Sequence, residues 1–194
     1  LNVENTELLV SGSTNTNSEE MIEIIEFKDI LSKRLGEDRY YHSLCVADEA
    51  LRLAEKYGGN KDKCYLAGLL HDITKNDSPE EHLKIFESFG IMLSVIEKNA
   101  MKLWHAISGA AYIENYLEIK DDEILDAVRY HTTAKADMSL TAKILYLADF
   151  TSKDRNYPDV NIMRQLVDKS LDEAFIYALQ YSIIDLTERS KAIH

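Results

Sequence analysis

The chain has 194 residues, 45% of them hydrophobic, with 22 Lys and Arg against 34 Asp and Glu and a formal charge of −12. That length suits one domain, or one domain with a tail, and the apolar share is enough for a sizeable core. So acidic a surface repels phosphate backbones, which excludes general nucleic-acid binding but leaves room for a small phosphorylated ligand held by a few local cations.

Only 7 Gly and 2 Pro are present, which argues for long helices rather than many strands and turns. Cys45 and Cys64 lie far apart in apolar runs and read as core thiols of a reducing compartment. No segment approaches the ~18 consecutive apolar residues of a membrane span. The acidic start LNVENTELLV lacks the basic region of a secretory signal, so a cytoplasmic protein is expected.

In chain order, SGSTNTNSEE (11–20) is rich in Ser, Thr and Asn and reads as a linker. Residues 1–18 are therefore expected to form a flexible tail and 19–194 the folded domain. SEEMIEIIEFKDILSKRL opens on a Ser cap with early Glu, and its apolar positions Met21, Ile24, Ile25, Ile30, Leu31 and Leu35 recur at helical spacing. A second helix is predicted over about 38–57, stopped by Gly58-Gly59, and a third over about 61–74. NDSPEEHLKIFESFG carries both a Ser-Pro-Glu-Glu start and a Gly stop. Further helices fit about 92–100, 104–118, 121–131, 139–151 and 159–190, the last broken near 168–171. The predicted class is all-α, a bundle of about eight helices.

Several polar residues break this pattern where helices end. His42 opens YYHSLCVADEALRLAEKYG, His71 and Asp72 close LAGLLHD, and His105 opens WHAISGAAYI. His131 closes EILDAVRYH, and Asp149 closes TAKILYLAD. A lone histidine beside an apolar face is more often a satisfied core group than a ligand, and either aspartate alone could be a solvated helix end. Four His and two Asp at ends of core helices are hard to obtain independently. Neutral imidazole and carboxylate are ligands of divalent transition metals, and two ions need about this many donors. Asp72 beside His71 could give one carboxylate oxygen to each ion, which would compensate its burial. His82, in the polar PEEHLK, is expected to be solvated, and His194 is the last residue; both are set aside. Lys75 shares a face with His71 and Asp72 at i+4 and i+3. It reads either as an exposed lysine or as a phosphate contact. Thr132 and Thr133 directly follow His131, as helix-ending polar residues or as donors to a ligand. Arg155, six residues beyond Asp149, would pair with phosphate if it lies near such a centre.

The segments RYYHSL, LAGLLHDITK, WHAISGA, YHTTA and MSLTAKILYLADF followed by Arg155 resemble the HD-domain metal-dependent phosphohydrolases. In particular they resemble the YqeK-type symmetrical diadenosine tetraphosphate hydrolases, over about residues 22–190. The resemblance implies an all-α HD-domain fold with two divalent ions, iron foremost and Mn, Co or Zn as alternatives. It implies His42, His71, Asp72 and Asp149 around one ion and Asp72, His105 and His131 around the other. Asp72 and Lys75 would be catalytic, and Lys75, Thr132, Thr133 and Arg155 would contact substrate phosphates. The sequence departs from the family at Ala134, where relatives usually have Gly, and at Phe150 and Ser152, where they usually have Lys and Glu.

The expected reaction is phosphoanhydride hydrolysis: a water between the two ions attacks phosphorus, and diadenosine tetraphosphate yields two ADP. The alternatives are another nucleotide substrate, such as a guanosine polyphosphate or a cyclic nucleotide or dinucleotide, and a non-catalytic nucleotide sensor. No P-loop and no Ser or Cys nucleophile motif is present. The expected partner is a small nucleotide, with neither nucleic acid nor membrane; a homodimer is compatible with the sequence.

Overall fold

The computed structural model describes residues 16–194. The part of the expected tail before residue 16 lies outside the described residues, and the first helix starts at Thr16, ahead of the Ser18 cap. Among the described residues there are ten α-helices, one 3-10 turn and no strand. They are α1 (Thr16–Arg34), α2 (Glu37–Tyr57), α3 (Lys61–Leu70), α4 (Pro79–Ser88), α5 (Val95–Asn99), α6 (Trp104–Tyr116), α7 (Asp122–Tyr130), α8 (Leu140–Thr151), α9 (Val160–Lys169) and α10 (Leu171–Glu188), with the 3-10 turn at Met101–Leu103.

Most boundaries follow from local chemistry. Gly58 adopts φ 73° and closes α2, a left-handed conformation that glycine takes without a Cβ penalty. Ser78 and Glu81 form a capping box ahead of Pro79, and Ser94 and Glu97 form another that opens α5 three residues later than the periodicity suggested. Ser170, extended at φ −156° and ψ 124°, ends α9 and accepts from the Glu173 amide to start α10. That single residue is the predicted break near 168–171.

One boundary differs in a way that matters. The third helix was expected to run to about residue 74 but stops at Leu70. Residues 71–76 form a tight turn, with Ile73 N–H donating to Leu70 O at 3.0 Å and Lys75 N–H to Asp72 O at 2.8 Å. Arg34, at the end of α1, holds it from outside. Its Nε donates to Ile73 O at 3.2 Å, its Nη2 reaches both Asp77 oxygens at 2.7 Å, and its guanidinium stacks 4.3 Å from the Tyr112 ring centre. The Ile73 carbonyl, which the Asp77 amide would reach in a continued helix, accepts from Arg34 instead, and the Asp77 N–H turns to Thr74 O at 3.1 Å.

The main core cluster is drawn chiefly from α2, α3, α7 and α8, with Val46, Ala47, Leu53, Leu69, Leu70, Ile144 and Leu147 all inaccessible to solvent, and a smaller one holds Phe86, Trp104 and Ile107. Cys45 and Cys64 are buried free thiols, as expected. Helices α2 and α3 touch backbone to backbone: a Cβ added at Gly68 would lie 2.8 Å from Ala47 Cα. That close approach brings His42, on α2, and His71, just past α3, to one end of the bundle.

Candidate metal centre

The six expected donors converge. His71 and Asp72 come from the turn after α3, His42 from α2, His105 from the first turn of α6, His131 from just past α7, and Asp149 from near the end of α8. The four imidazoles and Asp72 are each no more than 4% exposed. His42 Nε2 lies 3.0 Å from Asp149 Oδ1. His71 Nε2 lies 3.4 Å from Asp72 Oδ2 and 3.9 Å from Asp149 Oδ1. Asp72 Oδ1 lies 3.2 Å from His105 Nε2 and 3.6 Å from His131 Nε2, and those two nitrogens are 3.2 Å apart. Three sets bring donor atoms within 4.8 Å of one another: His42, His71 and Asp72; His71, His131 and Asp149; and Asp72, His105 and His131. Asp72 belongs to two of them, one on each side.

The far ring nitrogens explain the orientation. Nδ1 of His71 donates to Gly68 O and Nδ1 of His131 to Val128 O, both at 2.7 Å. A carbonyl only accepts, so the proton sits on Nδ1 and leaves the Nε2 lone pair facing inward. Nδ1 of His42 meets Asp154 Oδ2 at 2.6 Å, the carboxylate–histidine arrangement that orients a metal ligand. Burial, opposed by the adjacent Asp72 carboxylate, pushes the His105 pKa down to about 4, so that imidazole is neutral near pH 7. Burial alone would raise the Asp72 carboxyl. The neighbouring His71, His105 and His131 rings outweigh it and hold the group well below the usual carboxylate range. Asp149 is likewise held low, burial being overcome by His42, Arg155 and His71. His71 Nε2 and Asp72 Oδ1 are buried and have no hydrogen-bond partner. Two orphaned donor atoms inside a ring of imidazoles and carboxylates are what a divalent cation would satisfy. The donor set therefore fits divalent metal binding at this cluster.

Three cations surround this cluster in an otherwise acidic protein. Lys75 Nζ lies 2.9 Å from His105 Nε2 and 3.5 Å from Asp72 Oδ1. Arg155 donates through Nε to Asp149 O at 2.6 Å and through Nη2 to Asp149 Oδ1. Arg39 Nη1 reaches Asp72 Oδ2 at 2.8 Å. Thr132 and Thr133 sit in the turn after α7, with buried hydroxyls that have no partner. A cleft of about 620 Å³ opens beside His42, lined by Arg39, Asn76, Asp154 and Arg155 among others. That is ample for a small phosphorylated ligand.

Arg39 and Asp154 were missed in the sequence. Arg39 stands at i−3 from His42 on α2, so helical spacing would have found it. Asp154 gives no comparable local signal. His82 is corrected outright: it is 6% exposed, its Nδ1 lies 2.8 Å from Ser108 Oγ, and its ring packs on Phe86 and Trp104. The amphipathic α4 turns it inward despite its polar neighbours. Ala134 holds φ 59°, a left-handed conformation that glycine adopts without a Cβ penalty. Phe150 joins an aromatic cluster with Tyr146, Tyr157 and Tyr181, and Ser152 is fully buried. The first departure thus serves aromatic packing in this chain, whereas the buried Ser152 hydroxyl has no hydrogen-bond partner.

An all-helical bundle with a His-Asp doublet at the meeting point of four helix ends defines a class of protein. Residues 39–154 match the HD domain family, and the chain belongs to it. It is 31% identical over 163 residues to the symmetrical bis(5'-nucleosyl)-tetraphosphatase of Bacillus subtilis (strain 168), covering 84% of this chain and 87% of that one. It is 32% identical over 166 residues to the protein of the same name from Halalkalibacterium halodurans, with 85% and 88% covered. A solved structure described as a predicted HD superfamily hydrolase involved in NAD metabolism, from Clostridium acetobutylicum, superposes with a TM-score of 0.85 at 32% identity, covering 88% of this chain and 90% of that one.

Proposed function

We propose that this protein hydrolyses diadenosine tetraphosphate symmetrically to two ADP at a two-ion centre. One ion would be held by His42, His71, Asp72 and Asp149 and the other by Asp72, His105 and His131. The observation that carries this reading is the convergence of those six side chains around the orphaned His71 Nε2 and Asp72 Oδ1, in a chain similar over most of its length to enzymes of that name. Bound divalent ions supply Lewis acidity toward phosphate and lower the pKa of an attacking water. The chain supplies the rest. Lys75 and Arg155 carry positive charge to the phosphate oxygens and stabilise the charge that develops on them. Arg39, paired with Asp72 in this structure, adds a third cation at the cleft mouth. The Thr132 and Thr133 hydroxyls are free to donate to the same phosphates. Buried helix ends keep bulk water from the reacting centre, which strengthens these interactions.

Iron is the proposed occupant, and imidazole with carboxylate also suits Mn, Co and Zn; elemental analysis of the purified protein distinguishes them. No helix among the described residues is long and apolar enough to cross a membrane, in keeping with a small-molecule substrate taken from solution. Chromatography of an early time point with diadenosine tetraphosphate tests the reading. ADP as the sole nucleotide product is expected. Equal ATP and AMP would refute symmetrical cleavage. Faster turnover of a guanosine polyphosphate or cyclic dinucleotide would move the protein to another substrate within the same chemistry.

A further inference from the structure

His82 takes no part in the proposed hydrolysis, yet it is buried and ordered by specific contacts. Its ring stacks on Phe86 with centroids 6.4 Å apart and meets Trp104 edge-on at 6.3 Å. From its Nδ1 a chain of polar contacts runs to the centre. Nδ1 to Ser108 Oγ is 2.8 Å, Ser108 Oγ to Thr74 Oγ1 is 2.9 Å, and Thr74 Oγ1 to His105 O is 2.9 Å. Ser108 Oγ also donates to Trp104 O at 2.9 Å. Thr74 lies between Asp72 and Lys75 in the turn, and its acceptor is the backbone of His105.

Counting protons fixes the direction of this chain. A carbonyl only accepts, so the Thr74 hydroxyl proton goes to His105 O. The contact between the hydroxyls then needs the Ser108 proton, which it shares with Trp104 O. Ser108 has no proton left for the imidazole, so His82 must donate through Nδ1–H. Burial, opposed by Asp77 and Glu81, lowers the His82 pKa, in keeping with a neutral ring that carries its one proton there. The only proton entering the chain from outside the two hydroxyls is that of His82.

We infer that His82 is a positioning residue. By donating to Ser108 it locks the Thr74 hydroxyl onto the His105 carbonyl, and so fixes His105 and Lys75 relative to Asp72. The effect is one-sided. The chain ends on His105, which belongs to the Asp72–His105–His131 group, and it touches neither His42 nor Asp149. This rests on the two-ion reading above.

The test is titration of metal-free protein with Co²⁺, followed by its visible absorption, in the unsubstituted chain and in His82→Phe. Phenylalanine keeps the ring packing and removes the donor. Two Co²⁺ equivalents are expected on the unsubstituted protein, and failure there would overturn the two-ion reading itself. In His82→Phe one of the two affinities is expected to fall by about tenfold or more, the usual effect of removing a group that orients a ligand, with the other unchanged within about twofold. His82→Asn, whose side-chain amide can donate from the Nδ1 position, should restore most of the loss. In a Thr74→Val background, His82→Phe should add nothing, because its effect passes through that hydroxyl. Ser108→Ala should reproduce the one-sided loss if the bulkier change at His82 impairs folding. Equal weakening of both ions, no weakening, no rescue by asparagine, or full additivity with Thr74→Val would each overturn the assignment.

Discussion

Gly68→Ala should disturb the centre from within the core. Gly68 is on α3, three residues before His71, whose Nδ1 is bound to the Gly68 carbonyl. An added Cβ would meet Ala47 Cα at 2.8 Å, and Ala47 N and Val46 O each at 3.0 Å. These are backbone atoms of α2 and cannot rotate away. Ordinary carbon contacts need about 3.5 Å or more, so the two helices must separate by roughly 0.7 Å. Overpacking of this kind costs about 1–3 kcal/mol. For a chain of this size that is a fall in Tm of ~2–12 °C. The same displacement separates His42 from His71, whereas metal–ligand distances tolerate only about 0.2 Å. Metal affinity should therefore drop by about tenfold or more, a larger change than the loss of stability alone would suggest. Calorimetry of the metal-free protein reads the first effect and metal titration the second. An unchanged Tm together with unchanged metal affinity would refute the claim that this helix contact sets the centre's geometry.

Asp72→Asn keeps the volume but removes the shared charge, and should release metal and lower turnover by about 10²-fold or more, as read by elemental analysis and steady-state assay. Arg155→Ala should raise KM by about tenfold, the worth of one charge-assisted hydrogen bond, while ADP remains the product. Burial would raise the Glu97 carboxyl, but hydrogen bonds from Ser94 and Arg129 bring it down from 4.5 to about 2. A depressed carboxylate stabilises the fold fully above its unfolded value, and the contribution fades as pH falls from about 4.5 toward 2. Glu97→Gln should thus remove up to ~3 kcal/mol near pH 7 and flatten the fall in Tm between about pH 5 and 3; an unaltered acid limb would count against the pairing. Ala134→Gly relieves a left-handed alanine and should raise stability by about 1 kcal/mol, measured by urea unfolding.

Much of this molecule was legible in its residues. Scarcity of Gly and Pro and the 3.6-residue rhythm of apolar positions predict an all-helical chain, because helix formation is decided within a few residues. The six donors stood out because each interrupts an apolar helix at its end, and chemistry restricts imidazole and carboxylate in such places to few uses. What the sequence left open depends on contacts between distant segments. Arg34 braces the turn after α3 through the Ile73 carbonyl, 39 residues away, and the doublet sits in that turn where periodicity alone would continue a helix. His82 looked solvated from PEEHLK, yet Ser108, 26 residues on, gives its ring a buried partner. Asp154 orients His42 across 112 residues, and Arg39 acquires its partner Asp72 only when α2 and the turn meet. Such pairings leave no periodic mark, because a side chain's neighbours through space are set by how helices cross. That crossing rests here on Gly68, which lets two backbones touch, and only the packed tertiary structure shows what the contact brings together.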